Sequence, residues 1–128
     1  MLPIQTVQAV AAVCITATGL SHWLRPQWWH VFFAGLAARG RPGARINGLL
    51  HATIGGAFVA LHPVWTGWPC IITYWACAVL AKGVLYLVAP DVGLRSMRAL
   101  TPERAVRLRW VGLPLVALGI FAGVCAWS

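Results

Sequence analysis

Four long apolar runs dominate the chain, and shorter polar or basic segments separate them. The first three runs cover residues 4–24, 44–62 and 70–89, and the fourth follows Trp110 in a stretch that reaches Trp127. An α-helix rises about 1.5 Å per residue, so about 20 residues cross a hydrocarbon layer about 30 Å thick. The pattern therefore predicts an all-α protein with four transmembrane helices.

Two segments between these runs are too short to span a membrane and are amphipathic. In residues 27–38 the large apolar side chains recur at helical spacing and share one face. Residues 91–100 repeat this organisation, and Pro26 and Pro90 precede the two segments at a position that favours the start of a helix. We expect both segments to lie in the membrane interface. Four aromatic side chains of the first are expected to contact lipid: Trp28, Trp29, Phe32 and Phe33.

Local signals refine the second half of the chain. Asp91 precedes Arg95 by four positions, an order that favours an ion pair along a helix surface. Thr101, Pro102 and Glu103 combine a capping hydroxyl, a proline for the first helical position and an acid near the positive end of the helix dipole. A helix is therefore predicted to begin at Pro102.

Several residues recur at a constant spacing of 64 positions. Nine identities exceed the roughly five that a chain this rich in Ala, Leu, Val and Gly would give by chance. The informative pairs are residues that control turns and close helix contacts: Gly19/Gly83, Pro26/Pro90, Arg45/Arg109, Gly48/Gly112 and Gly55/Gly119. We interpret residues 1–64 and 65–128 as two copies of one hairpin within a single membrane domain.

The distribution of positive charge predicts the orientation. The chain is 60% hydrophobic and 9% charged, and all its arginines lie in or beside the first and third connections. By the positive-inside rule, both arginine-rich loops face the cytoplasm and both termini face outward. This placement accounts for the net charge of +8 without a nucleic-acid partner. The halves then form a parallel repeat about an axis along the membrane normal, not an inverted repeat.

The spacing of these residues is similar to that of a known family. In each half a glycine is followed by a proline, an arginine and two further glycines at the same intervals. Each half thus resembles the YjeT-type proteins, small uncharacterised two-helix proteins of the bacterial inner membrane. The whole chain also resembles, more loosely, the DoxX-like four-helix membrane proteins. The resemblance implies a helical protein of the bacterial inner membrane, and it implies no activity, cofactor or catalytic residue.

Lys82 is the least expected residue, because it lies about 9 Å inside the third run, counted from the cytoplasmic end. A cation at that depth is costly in hydrocarbon. His51 and Thr18 reach a similar depth, and His22 lies one turn nearer the surface. These four residues are a candidate site for an anionic or protonatable ligand. The alternative is a lysine that reaches the membrane surface, with histidines that are hydrogen-bonded within the protein.

Small residues form stripes on the second and fourth runs. Such stripes allow helices in membranes to approach closely. We expect them to pack within the bundle, or to form an interface with a second copy or another membrane protein: Gly48, Gly55, Gly112, Gly119 and Gly123.

Other chemistry has little support in the sequence. The pairs that His22, His30, His51 and His62 offer for a bis-histidine haem differ in depth. The spans contain no carboxylate, and we find no nucleophile–base pair and no metal-ligand spacing. We therefore expect no enzyme, no metal and no cofactor.

The sequence thus favours a four-helix membrane bundle of two parallel-repeat hairpins with short interfacial helices. Its predicted role is a non-enzymatic structural or accessory subunit that packs against other membrane proteins or against itself, in the lipid bilayer. Two alternatives stay open. One is a small oligomeric transporter or channel that uses the polar level of Lys82 and His51, and the other is a cofactor-carrying subunit with histidine ligands.

Overall fold

The computed structural model describes residues 2–128, and most of them are helical. Seven helical segments follow one another: α1 (Ile4–Leu24), α2 (Pro26–Ala37), α3 (Arg41–Leu61), α4 (Cys70–Val88), α5 (Pro90–Ala99), α6 (Pro102–Ala105) and α7 (Leu108–Trp127). The helical class predicted from the apolar runs is confirmed, with no strand among the described residues.

Prolines determine where several helices begin and end. Pro26 and Pro90 are the first residues of α2 and α5, as predicted. Because a proline disfavours helical geometry in the residue before it, Arg25 and Ala89 adopt nearly the same non-helical conformation, with φ/ψ of −134°/54° and −122°/69°. His62 precedes Pro63 and ends α3 in the same way, at −128°/63°. These three breaks separate the long helices from their connections.

One helix start differs from the prediction, and another is confirmed. The helix α3 begins at Arg41, because Gly40 with φ of +67° reverses the chain one residue earlier and Pro42 is compatible with a first helical turn. The predicted start at Pro102 is confirmed, since the Thr101 hydroxyl accepts a hydrogen bond from the Arg104 amide. A turn at residues 106–107 then separates α6 from α7.

Three helical stretches are long and apolar enough to cross a membrane: α1, α4 and the stretch from α6 through α7. The helix α3 is as long as α1 but carries Arg41, Arg45 and Asn47 in its first turns, which makes it more polar. The structure is therefore consistent with a membrane protein, and the fourth span stays a prediction.

The long helices pack in two antiparallel pairs. The helix α1 packs along α7, and α3 packs along α4. In the first pair, a Cβ built on Gly19 would lie 2.7 Å from the carbonyl oxygen of Gly112, and one built on Gly112 would lie 2.5 Å from the carbonyl oxygen of Gly19. No side chain larger than hydrogen fits at either position, so the two backbones are in direct contact.

The α3–α4 pair shows the same contacts 64 positions away. Cβ atoms built on Gly48 and Gly83 would lie 2.8 Å and 2.7 Å from each other's carbonyl oxygens. Further along the helices, Gly119 packs against the backbone of Thr16, and Gly55 packs against that of Leu80. Each of these contacts in one pair therefore has a counterpart in the other pair.

In this arrangement, the long helices of the first half of the chain pack on those of the second half. Each pair combines one helix from residues 1–64 with one from residues 65–128. We call this arrangement the crossed pairing. A small apolar cluster of Ala11, Ile15, Ile72 and Ala122 joins α1, α4 and α7 between the two pairs, with Phe58 of α3 packed against it.

The short helices form a separate layer. Leu36, Ala37, Ala44 and Met97 are buried together where α2, α3 and α5 meet. We call this the basic end of the molecule, because the arginine-rich connections lie here. We call the opposite end, with the 62–69 connection, the terminal end.

Asp91 accepts two hydrogen bonds from Arg41, at 2.9 Å and 2.7 Å, so the expected pairing with Arg95 is wrong. The guanidinium of Arg41 offers two donors in a fixed plane and lowers the pKa of the Asp91 carboxyl.

Candidate functional site

A buried chain of polar side chains lies at the terminal end. Gln8 of α1, His62 after α3 and Thr73 of α4 are 3%, 0% and 0% exposed. The Gln8 amide nitrogen is 3.2 Å from His62 Nε2, and His62 Nδ1 is 2.8 Å from the Thr73 hydroxyl. The Thr73 hydroxyl lies 2.7 Å from the backbone carbonyl of His62. Three long helices are therefore connected by one polar network.

One assignment of protons satisfies every group in this network. Thr73 donates to the His62 carbonyl, so its oxygen accepts from His62 Nδ1–H, and Nε2 accepts from the Gln8 amide. This tautomer is neutral, and burial lowers the pKa of His62, which lies outside the helices. A neutral and fully bonded histidine holds the helices together, and its ring nitrogens are already occupied.

The sequence did not reveal this network. In the sequence, His62 is one of four candidate histidines, and nothing distinguishes Gln8 or Thr73 from other polar residues of the apolar runs. Each of the three polar residues is isolated in its own apolar run, so no local spacing relates them. The available signal was their common depth, since all three lie near the same end of their helices.

The structure does not bring the residues of the predicted ligand site around Lys82 into one compact cluster. The Lys82 side chain is exposed on α4, and its ammonium lies 5.6 Å from the centre of the Tyr86 ring, a cation–π contact on the same helix. No side-chain hydrogen bond within residues 2–128 joins Lys82 to His22, His51 or Thr18. The four predicted site residues therefore do not form one hydrogen-bonded cluster.

The other members of that predicted site bond to their own helices. His22 Nδ1 is 2.8 Å from the Thr18 carbonyl, and His51 Nδ1 is 2.9 Å from the Asn47 carbonyl. The Thr18 hydroxyl donates to the Cys14 carbonyl at 2.8 Å. These bonds engage one ring nitrogen of each histidine and the Thr18 hydroxyl, and a ligand site at this level stays a prediction.

Asn47 is a further buried polar residue, on α3, that no pattern in the sequence distinguishes. Its side chain is 1% exposed, and its Oδ1 atom has no hydrogen-bond partner within residues 2–128. The residue lies one turn from His51 on the same face of α3.

The aromatic residues of α2 divide between two environments. Trp28 and Phe32 are 66% and 43% exposed and can contact lipid. Trp29 instead folds back on α1, where its indole donates to the Ser21 hydroxyl at 3.0 Å and its ring stacks on His22 at 4.3 Å. Phe33 packs against the buried cluster of the basic end. Only the first two of the four predicted contact residues are more than a third exposed to the surroundings.

Two open grooves flank the α5–α6 connection at the basic end. The larger, about 400 Å³, lies between α2 and α5 and includes His30 and Arg98. His30 Nδ1 is 2.8 Å from the Leu100 carbonyl, which ties α2 to this connection. The second groove, about 250 Å³, lies between α5 and the start of α7 and includes Arg104 and Arg107.

The predicted packing glycines differ in how closely they are approached. Gly48, Gly55, Gly112 and Gly119 contact the backbone of the partner helix. At Gly123 an added Cβ would lie 3.6 Å from the Cβ of Ala12, an ordinary contact. No group of three or more His, Cys, Asp or Glu side chains is placed to hold a metal ion within residues 2–128.

The fold and these contacts define a helical protein that could span a membrane, with three helices long and apolar enough to do so. Comparisons of the chain with protein-family models, curated proteins and solved structures give no match.

Proposed function

We propose that the chain is a four-span protein of the bacterial inner membrane, made of two copies of one unit. Each unit contains a span, an interfacial helix and a second span, and the units are residues 1–64 and 65–128. The support comes from the contacts that recur 64 positions apart: Gly19 with Gly112 corresponds to Gly83 with Gly48. Each unit then has the length and residue spacing of a YjeT-type protein.

The neighbours of these glycines supply further support. A Cβ on Gly48 would lie 3.0 Å from the Leu87 amide nitrogen, and one on Gly112 would lie 3.0 Å from that of Trp23. Trp23 and Leu87 are themselves 64 positions apart. Such agreement at the level of single atoms is expected for two copies related by a near-two-fold axis along the membrane normal. Both arginine-rich loops then face the cytoplasm and both termini face outward.

The proposed role is a non-enzymatic structural or accessory subunit. The observation that carries it is the direct backbone contact in both helix pairs, at Gly19 with Gly112 and at Gly48 with Gly83. Helices that touch through their backbones have no long side chains between them that could change rotamer as they move. This packing favours a rigid element over a transporter whose helices must rearrange.

The outward faces of the four long helices suit contacts with lipid or with other membrane proteins. Large apolar side chains are exposed on each of them, among them Val13 of α1, Ile54 of α3, Tyr74 of α4 and Ile120 of α7. In this proposal the partner is another membrane protein or a second copy of the chain, and both lie in the bilayer.

Site-specific photo-crosslinking in native membranes tests the role. A photoreactive residue is placed at each of the four outward positions just named, and at Ala11 in the buried cluster as a control. We expect one or two adjacent faces to give a crosslinked product of constant mass, either twice the chain or the chain plus one partner. The same complex should survive purification in mild detergent.

A partner is specific if crosslinks depend on which face carries the probe. Lipid adducts alone at all four outward positions, together with a monomeric protein in mild detergent, would contradict the accessory role. That result would leave the fold and the proposed duplication unaffected, because neither depends on a partner.

A further inference from the structure

The groove between α5 and the start of α7 is lined by both arginines and apolar side chains. Its volume is about 250 Å³, and it lies between α5 and the first turns of α7. Arg104 and Arg107 lie on one side, Ser96 and Leu100 on the other, and Leu108 and Val111 continue the groove along α7.

The polarity of the groove changes along α7. Arg104 is held over it, since its Nη1 atom donates to the Ala99 carbonyl at 3.3 Å. Val111 follows Arg107 by one helical turn, about 6 Å further toward the centre of the membrane. Trp110, which is 71% exposed beside Val111, is the type of residue that is enriched at the boundary between headgroups and hydrocarbon. The arginines therefore lie at headgroup level and the apolar residues at the level of the first acyl carbons.

The corresponding place in the first half of the chain is closed. Arg104 and Arg107 correspond to Gly40 and Gly43 at the 64-residue spacing. Gly43 packs directly against the backbone of Leu36, so the space is filled by the chain itself. The groove and its two arginines thus occur together in the second half of the chain, where the first half has glycines at the corresponding positions.

We propose that this groove binds the headgroup of an anionic phospholipid, with the phosphate between Arg104 and Arg107 and one acyl chain along Leu108 and Val111. The charge of the arginines complements the phosphate, and guanidinium groups bind phosphate oxygens through paired donors. Basic grooves at the cytoplasmic ends of membrane helices are suited to such lipids. A lipid fits better than a free phosphate because the apolar part of the groove continues toward the hydrocarbon. This site goes beyond the proposed accessory role and requires only that the chain is embedded in a membrane.

Native mass spectrometry of the purified full chain in detergent measures the binding directly. Phosphatidylglycerol is titrated against wild type, the double variant R104Q/R107Q and the matched control R39Q/R45Q. The control removes the same charge from exposed arginines at the same end that do not line the groove. A charged group that bonds directly to the phosphate contributes at least about a tenfold change in affinity, so we expect a loss of about 100-fold for R104Q/R107Q, which removes two such groups. The control should stay close to wild type.

A third variant keeps both arginines and fills the groove. Ala99 lines it, and Ala99→Phe should weaken phosphatidylglycerol binding without a change of charge, which keeps the test valid if R104Q/R107Q fails to fold. Equal losses in both arginine double variants would overturn the proposal, since the affinity would then come from overall charge. Equal binding of phosphatidylcholine would also overturn it. Displacement of the lipid by inorganic phosphate at similar concentration would assign the site to the free anion instead.

Discussion

Gly19 and Gly112 are in backbone contact across α1 and α7, so that a methyl group on either would meet the other's carbonyl oxygen at 2.7 Å or 2.5 Å. Gly83 and Gly48 repeat the relationship across α4 and α3. Each of these contacts joins one half of the chain to the other. The proposed duplication therefore differs from two hairpins placed side by side, because the first span of each unit packs on the second span of the other.

Two adjacent glycines of α3 provide an internal comparison. An added Cβ at Gly55 would clash with the backbone of Leu80 and lie 2.8 Å from the Ala76 carbonyl oxygen, whereas one at Gly56 would lie 3.8 Å from a Leu80 methyl group. We expect Gly55→Ala to lower the free energy of unfolding by about 1–3 kcal/mol through overpacking. Gly56→Ala should be neutral or stabilising by up to about 1 kcal/mol, because alanine favours helix. Unfolding in detergent by added denaturant measures both, and equal effects would contradict the packing described.

The buried network predicts a cost for removing one hydroxyl. Thr73→Val keeps the shape of the side chain but leaves the Nδ1 and carbonyl groups of His62 without their partner. We expect a loss of about 1–3 kcal/mol in the free energy of unfolding. Thr53→Val is the matched control, because Thr53 is exposed, and it should change stability by less than about 0.5 kcal/mol. Equal losses in the two variants would argue against the network.

His62 also predicts a dependence of stability on pH. An unfolded histidine has a pKa of about 6.5, and burial lowers the pKa of His62 in the folded protein. Between these two values the unfolded chain binds more protons, so stability is complete above about pH 6.5 and falls as the pH decreases from there through the lower value. The slope of unfolding free energy against pH should be smaller in His62→Gln than in wild type. Identical slopes would show that His62 does not titrate in this way.

The orientation can be tested by cysteine labelling in intact cells. Single cysteines replace Ala38, Ser96 and Thr66, all exposed positions in a chain whose four natural cysteines have been removed. A membrane-impermeant reagent should label position 66 and leave positions 38 and 96 unlabelled until the membrane is opened. The reverse pattern would refute the orientation that the arginine distribution predicts.

The sequence contained enough information to predict the positions of helices but not their partners. Pro26 and Pro90 determine helix starts through local backbone geometry, and their consequences were visible from the chain alone. The helix start at Arg41 was missed because it depends on the positive φ of Gly40, which composition does not reveal.

Which helices pack together is determined by the tertiary fold and cannot be seen in one helix alone. A glycine stripe shows that a helix will be closely approached, but Gly48 offers the same surface to α1 as to α4. Asp91 illustrates the same limit, since Arg95 is its neighbour along the helix and Arg41 is its partner in space. The Gln8–His62–Thr73 network likewise depends on three elements whose polar residues follow no shared pattern along the chain.

Disulfide crosslinking between engineered cysteines tests the crossed pairing most directly. The Cβ position of Gly123 lies 3.6 Å from the Cβ of Ala12, within the range of about 3.5–4.5 Å that a disulfide needs. The 64-residue relation then predicts a second crosslink, between Val59 and Ala76. In a background without the natural cysteines, A12C/G123C and V59C/A76C should both form disulfides rapidly on mild oxidation, and the same-half pairs A12C/V59C and A76C/G123C should form them much more slowly. Rapid crosslinking of the same-half pairs, with none between α1 and α7 or between α3 and α4, would contradict the crossed pairing and the duplication built on it.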